Sequence, residues 1–230
     1  MSTWISVAIA CPRCHVETAA RVAQGVHVTR VPRVRTEVLT RTYNEIACSG
    51  CATRLAIHES FIYVDFDRGH WILVATREDR DAWRDWERKL DEGFARAFEH
   101  GSPMAHELSA RMHARVVFGY EALREKLVVW SAGIEDQIIE CMKVRAIAED
   151  PTLATPGSTM VVDAITADGI RVGWFADRRD HDPSRVVVLP AAWVGESDRD
   201  HAILRARFAE LWRHRFVSFE RLASATVEST

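Results

Sequence analysis

The sequence predicts an α+β protein: a four-cysteine zinc ribbon on antiparallel strands, then a helical middle, then a β-hairpin layer closed by a helix. Three observations predict it. Two C-x-x-C pairs, Cys11-Pro12-Arg13-Cys14 and Cys48-Ser49-Gly50-Cys51, sit among short alternating apolar stretches. From Glu78 to Glu99 apolar residues recur every three or four positions. Beyond residue 158, two β-branched runs flank Asp168-Gly169, a hairpin signal. Three regions follow: 1–76 as the zinc-ribbon β region, 77–150 as the helical region and 151–230 as a C-terminal α+β region, packing as one composite domain or as separate small ones.

The 230 residues are 47% hydrophobic and 27% charged, enough to bury a sizeable core. A net charge of −3 gives no global attraction to nucleic acid or anionic lipid. The first ten residues are apolar but carry no Lys or Arg, so they do not read as a secretory leader. Ala8-Ile9-Ala10-Cys11 faintly resembles a bacterial lipidation site, a use of Cys11 that would remove a metal ligand. No apolar run reaches 18 residues, so no membrane-spanning helix is expected. Four thiols on a metal with a fifth, Cys141, left over suit a reducing cytoplasm better than a disulfide framework.

Two cysteines with two residues between them can aim both sulfurs at one point, with Pro12 stiffening one turn and Gly50 relaxing the other. Two such turns supply four thiolates, the tetrahedral shell that zinc favours, closed to water and substrate. Cys11, Cys14, Cys48 and Cys51 are therefore the expected ligands of one structural Zn2+. A redox dithiol or an iron–sulfur centre is the competing use of these residues. His15 and His58 lie near the thiols but are not needed once four cysteines are present.

Between the pairs, Val26–Val31 and Arg33–Leu39 alternate in strand fashion about Pro32, reading as a bent edge ribbon. Its polar positions hold Arg21, Arg30, Arg33, Arg35 and Arg41 against Glu17, Glu37 and Glu45. An exposed Arg30/Arg33/Arg35 face would make a nucleic-acid-binding ribbon, but Tyr43 is the only aromatic residue available there for stacking, and a solvated strand face is the simpler expectation. Leu55–His58, Phe61–Asp67 and Trp71–Val74 continue as strands around the Asp67–His70 turn.

Trp83, Trp86, Leu90, Phe94 and Phe98 form the apolar stripe of the first long helix. Gly101-Ser102-Pro103 breaks it, and Ser102 caps a second helix predicted to run to Val116. His106-Glu107 and His113 superficially resemble a zinc-protease helix, but the histidines stand seven apart where that motif needs four.

Further on, Gly119-Tyr120 leads into Leu123-Arg124-Glu125-Lys126, and Ile138-Ile139-Glu140 is followed by Lys143. Together with the N-terminal C-P-x-C and the second C-x-x-C followed by apolar strands, this pattern resembles the bacterial CpXC proteins over roughly residues 5 to 145. The resemblance implies a metal-binding domain with Cys11, Cys14, Cys48 and Cys51 at the metal positions, and implies no activity. The chain departs from that pattern at Ser49, where Pro is usual, and at His15, where a small residue is usual.

On the helix that follows, Ile134, Ile138, Cys141, Met142 and Arg145 form a stripe that makes Cys141 a small buried hydrophobe. Glu135, Asp136 and Glu140 read as a solvated face, with a partner- or metal-binding face as the alternative. Glu149–Ser158 reads as a linker, Met160–Ile165, Ile170–Phe175 and Arg185–Leu189 as strands, Ser197–His214 as a helix with Ile203, Leu204, Phe208, Leu211 and Trp212 inward, and Phe216–Phe219 as a last short strand. Asp177, Asp180, His181 and Asp182 read as a turn that could otherwise hold a cation.

No phosphate-cradling glycine loop, nucleophile elbow or catalytic histidine–carboxylate set appears. The expectation is a cytoplasmic, non-enzymatic zinc-stabilised module that binds another protein, with no membrane role. A nucleic-acid-binding ribbon and a C-x-x-C thiol oxidoreductase are the alternatives. Eight tryptophans leave room for a protein interface without locating it.

Overall fold

The computed structural model describes residues 2–176 and 182–225. It is mixed α+β, with the four cysteines close together on N-terminal strands, a helical middle, and a C-terminal strand layer with helices. The chain divides into two compact units, Met1–Leu123 and Arg124–Thr230.

In the first unit a five-stranded mixed sheet is built from β1 (Thr3–Ala10), β2 (Glu17–His27), β5 (Phe61–Asp65), β6 (His70–Ala75) and β7 (His113–Phe118), in that spatial order. β1 and β2 form an antiparallel hairpin around the first cysteine pair, and a two-stranded ribbon of β3 (Glu45–Ala47) and β4 (Arg54–Ala56) carries the second. β2 lies parallel to β5 only over Gly25–His27, so most of the hairpin projects beyond the sheet.

Of the expected strand Val26–Val31 only Val26 and His27, the end of β2, lie in a strand, the next three residues being a turn, and residues 33–39 are not a strand. Arg33–Leu39 is the helix α1. Val34 and Val38 are buried while Thr36 between them is exposed, which a helix achieves and a strand, with 34, 36 and 38 on one face, cannot, and Pro32 holds a helical φ of −59° at its start.

A short 3₁₀ turn at Glu78–Ala82 leads into α2 (Trp83–Phe98), close to the predicted helix. Leu90 and Phe98 are buried, and Phe94, edge-on, and Phe98, tilted, pack against Trp71 of β6 with ring centroids 5.5 and 5.6 Å away. The next helix is shorter than expected: α3 (Pro103–Ala110) is capped by Ser102, and His113 already belongs to β7. Continuous burial from Ala114 to Phe118 against β6 outweighs the weak helical pattern there. α4 (Tyr120–Ser131) begins with Tyr120, whose hydroxyl accepts from Asn44 Nδ2 at 2.8 Å.

The second unit packs α4 beyond residue 123 and α5 (Asp136–Glu149) on a three-stranded antiparallel sheet of β8 (Thr159–Thr166), β9 (Gly169–Phe175) and β10 (Arg185–Pro190). The predicted hairpin forms, but its two-residue loop is Ala167-Asp168: Thr166 pairs with Gly169, which has φ +148° with the Leu189 carbonyl where a side chain would lie. The expected linker is partly packed: Leu153 is buried and its carbonyl accepts from Trp174 Nε1 at 3.0 Å.

The expected helix at Ser197–His214 is three short ones, α6 (Ala192–Arg199), α7 (His201–Arg207) and α8 (Ala209–Arg213). Leu211 is buried, Leu204 and Trp212 pack against the core, and Ile203 is exposed, because each break resets which residues face inward. Phe216–Phe219 is not a strand; its backbone is held by side chains of α4 and α5, and α9 (Glu220–Ala225) follows. Asp177, Asp180 and His181 lie outside the described residues.

Candidate metal centre

Each C-x-x-C pair folds as the same turn. Cys11 carbonyl accepts from the His15 amide at 2.8 Å, and Cys48 carbonyl accepts from the Ala52 amide at 2.9 Å. The chain then reverses: Cys11 N–H donates to the Val16 carbonyl and Cys48 N–H to the Thr53 carbonyl. The reversal puts the residue after each second cysteine in the left-handed region, His15 at φ +61° and Ala52 at φ +56°. Neither is glycine, so each turn holds a strained residue.

Together the two turns bring the four Sγ atoms within 4.8 Å of one another. Two of the approaches between the motifs are Cys11 to Cys51 at 3.6 Å and Cys14 to Cys48 at 3.5 Å. Four sulfurs bound to one ion at about 2.3 Å in a tetrahedron would stand roughly 3.8 Å apart, so the quartet fits a tetrahedral metal ion.

The departures from the family pattern have local reasons. Ser49 N–H donates to Thr18 Oγ1 at 3.1 Å, a bond that Pro could not make, and Ser49 Oγ lies 3.2 Å from the same hydroxyl. Gly50 leaves space that Val16 fills, and its N–H points at Cys48 Sγ from 3.3 Å. Thr53 Oγ1 is 3.2 Å from Cys51 Sγ, where its hydroxyl can donate to a thiolate.

The thiols do not share one acidity. At Cys48, burial opposes ionisation, but the Gly50 and Cys51 amides aimed at its sulfur outweigh it and hold the thiol at about 6. At Cys14 the Val16 amide favours the thiolate, while the neighbouring sulfurs of Cys48 and Cys51 push the thiol up to about 12. Hydrogen bonds from Thr53 bring Cys51 down. Charge entering the cluster first thus settles on the second knuckle, and a cation is what would let all four sulfurs ionise together.

The metal-ligating cluster found among the described residues is these four cysteines and neither histidine. His15 is exposed, and His58 stacks on Tyr120 at 5.5 Å. The basic ribbon face does not form. Arg33 and Arg35, two apart on α1, point about 200° apart, Arg35 is half-buried, and Arg41 pairs with Glu121 at 3.2 Å. Cys141 is buried, and burial pushes its thiol up to about 12, as an inert core residue requires.

The acidic helix face is the largest correction. Glu135 is exposed, but Asp136 and Glu140 are each 2% exposed. Glu140 and Glu125 share Lys143 Nζ at 2.9 Å, and Asp136 holds Lys126 Nζ at 3.1 Å. Lys126 also donates to the Val217 carbonyl, and Glu140 accepts from the Phe219 amide at 2.9 Å. Burial works against charge on Lys143, yet the two carboxylates raise its affinity for the proton. No spacing rule reveals this network, because its partners lie up to 91 residues apart.

No helix among the described residues is long and apolar enough to cross a membrane. No curated protein and no solved structure matches the chain. A protein-family model described as CpXC protein does match, over residues 9–143. That span takes in both cysteine knuckles and the buried residues Glu125, Lys126, Asp136, Glu140 and Lys143, and it covers more than half of the chain. The chain belongs to the CpXC protein family.

Proposed function

We propose that Cys11, Cys14, Cys48 and Cys51 hold one zinc ion in a closed structural site, and that the protein is a non-enzymatic module that works by binding another protein. The observation that carries this reading is the gathering of four Sγ atoms, two from each motif, within 4.8 Å of one another. Four sulfur donors leave no coordination position for water, so the ion would shape the fold and perform no hydrolysis. Zinc bound this way contributes on the order of 10 kcal/mol, more than the net stability of many domains.

The test is metal content of protein purified under reducing conditions without affinity metals, paired with a count of reactive thiols before and after chelation. One zinc per chain, with four thiols appearing only on chelation, is the expected result. Metal-free protein with the thiols reactive from the start would overturn it and favour redox chemistry. Because Cys14 holds its proton up to about 12, zinc binding at pH 7.5 releases at least one proton, and affinity weakens as pH falls through the Cys48 value of about 6.

A further inference from the structure

The outer edge of β1 has no partner strand among the described residues: β1 ends the five-stranded sheet and pairs only with β2. Its sequence is Thr3-Trp4-Ile5-Ser6-Val7-Ala8-Ile9-Ala10, with six apolar residues, no charge, no Pro and no Gly. None of these residues is buried. The sheet edges elsewhere are defended. β7 carries His113 and Arg115, β10 carries Arg185 and ends at Pro190, and β8 carries Asp163 and a bulge between Val162 and Ala164. Charge, Pro and bulges are the usual devices that keep an edge from pairing, and β1 has only a register shift at its first residue.

The ladder fixes which atoms of β1 are available. Cys11 N–H donates to the Val16 carbonyl, so the pair 11–16 is a hydrogen-bonded one, and with the β1–β2 register the pairs 9–18, 7–20 and 5–22 follow it. The backbone N–H and C=O groups of Trp4, Ser6, Ala8 and Ala10 therefore point away from β2, toward the open edge.

From this we infer that β1 is a dimerisation edge whose occupant is β1 of a second copy, antiparallel about a two-fold axis at Val7. The inference deepens the interaction-module reading by naming surface and partner. In this register Trp4 faces Ala10 of the other copy and Ser6 faces Ala8, so all four outward residues find partners, each pair exchanging two N–H···O=C bonds. A register centred on Ser6 would leave Ala10 without a partner in the strand. The side chains agree: large Trp4 meets small Ala10, Val7 meets Val7, and exposed Ile5 meets Ile9, extending the apolar face formed with Ala20 and Val22. A two-fold axis sets the strand against itself, so a strand carrying several charges of one sign would repel its copy, and β1 has no charge to do so. A single strand pair is small for an interface, and the dimer should be weak and concentration-dependent.

The test is sedimentation equilibrium of the full metal-loaded chain up to about 100 µM, compared with Ala8→Lys, Ser6→Pro and, as a control, Ile203→Lys. Ala8 is exposed and Ser6 N–H faces outward, so neither change removes a β1–β2 bond. The expected result is a reversible dimer, weakened at least tenfold by A8K and by S6P and unchanged by I203K, with thiol protection and far-UV circular dichroism unaltered in each. A wild-type monomer throughout, or a dimer that both edge variants leave intact, overturns the proposal. A metal-loaded monomer with four protected thiols would sink the dimer edge alone, whereas loss of the metal would sink the structural-zinc reading.

Discussion

At the scale of single residues, His70 shows how position overrides intrinsic chemistry. It lies on β6 opposite Asp65, 4% exposed. Burial lowers its pKa from 6.5 to about 4, Asp65 opposes the shift, and the Arg35, His113 and Arg68 charges reinforce it. The folded state therefore binds fewer protons at this site than the unfolded chain between those two values. The stability from a neutral His70 is present above pH 6.5 and is lost as pH falls toward 4, amounting to about 3 kcal/mol. The ring C2–H resonance should titrate near 4, and the stability of His70→Asn should fall less steeply over that window. A midpoint near 6.5 would refute the burial argument. The cysteines behave differently because their spacing already encodes their geometry, and their left-handed neighbours His15 and Ala52 follow from the turn that such spacing demands.

At the scale of elements, α4 and α5 are joined by buried charge as much as by apolar contact. Lys143 sits between Glu125 and Glu140, and each carboxylate also accepts a backbone amide, Val162 and Phe219 respectively. Removing one partner of such a network leaves an uncompensated buried charge, so Lys143→Met should cost about 3–5 kcal/mol. Denaturant unfolding of the metal-loaded protein would measure it, and a loss under about 1 kcal/mol would mean the network is replaceable. The same side chains explain why Phe216–Phe219 is not a strand: its carbonyl and amide groups are already used. The α1 segment carries the complementary lesson. Val34 and Val38 fit a strand pattern and a helix pattern equally in so short a run, and the exposure of Thr36 between them marks the helix.

At the scale of the whole molecule, the proposed metal stabilises one unit and has no ligands in the other. The four cysteines and the apolar residues around them, Ile9, Ile46 and Leu55, lie between residues 9 and 55. Chelation should abolish amide protection in β1 to β4 while the amides of β8, β9 and β10 keep theirs, as hydrogen exchange read by mass spectrometry would show. Equal loss in both units would mean that the second cannot hold its fold without the first.

The sequence by itself determined the α+β class, the family, the four candidate ligands, the α2 stripe and the Asp168-Gly169 hairpin. Each is a local pattern: two residues between cysteines, a period near four, a two-residue turn. Tertiary structure alone decided which sulfurs approach across the motifs, that Asp136 and Glu140 are buried, that residues 113–118 join the sheet, and that β1 stands at an open edge. These outcomes depend on contacts between residues far apart in the chain. A carboxylate on a helix has the same local pattern whether it meets water or a lysine 18 residues away.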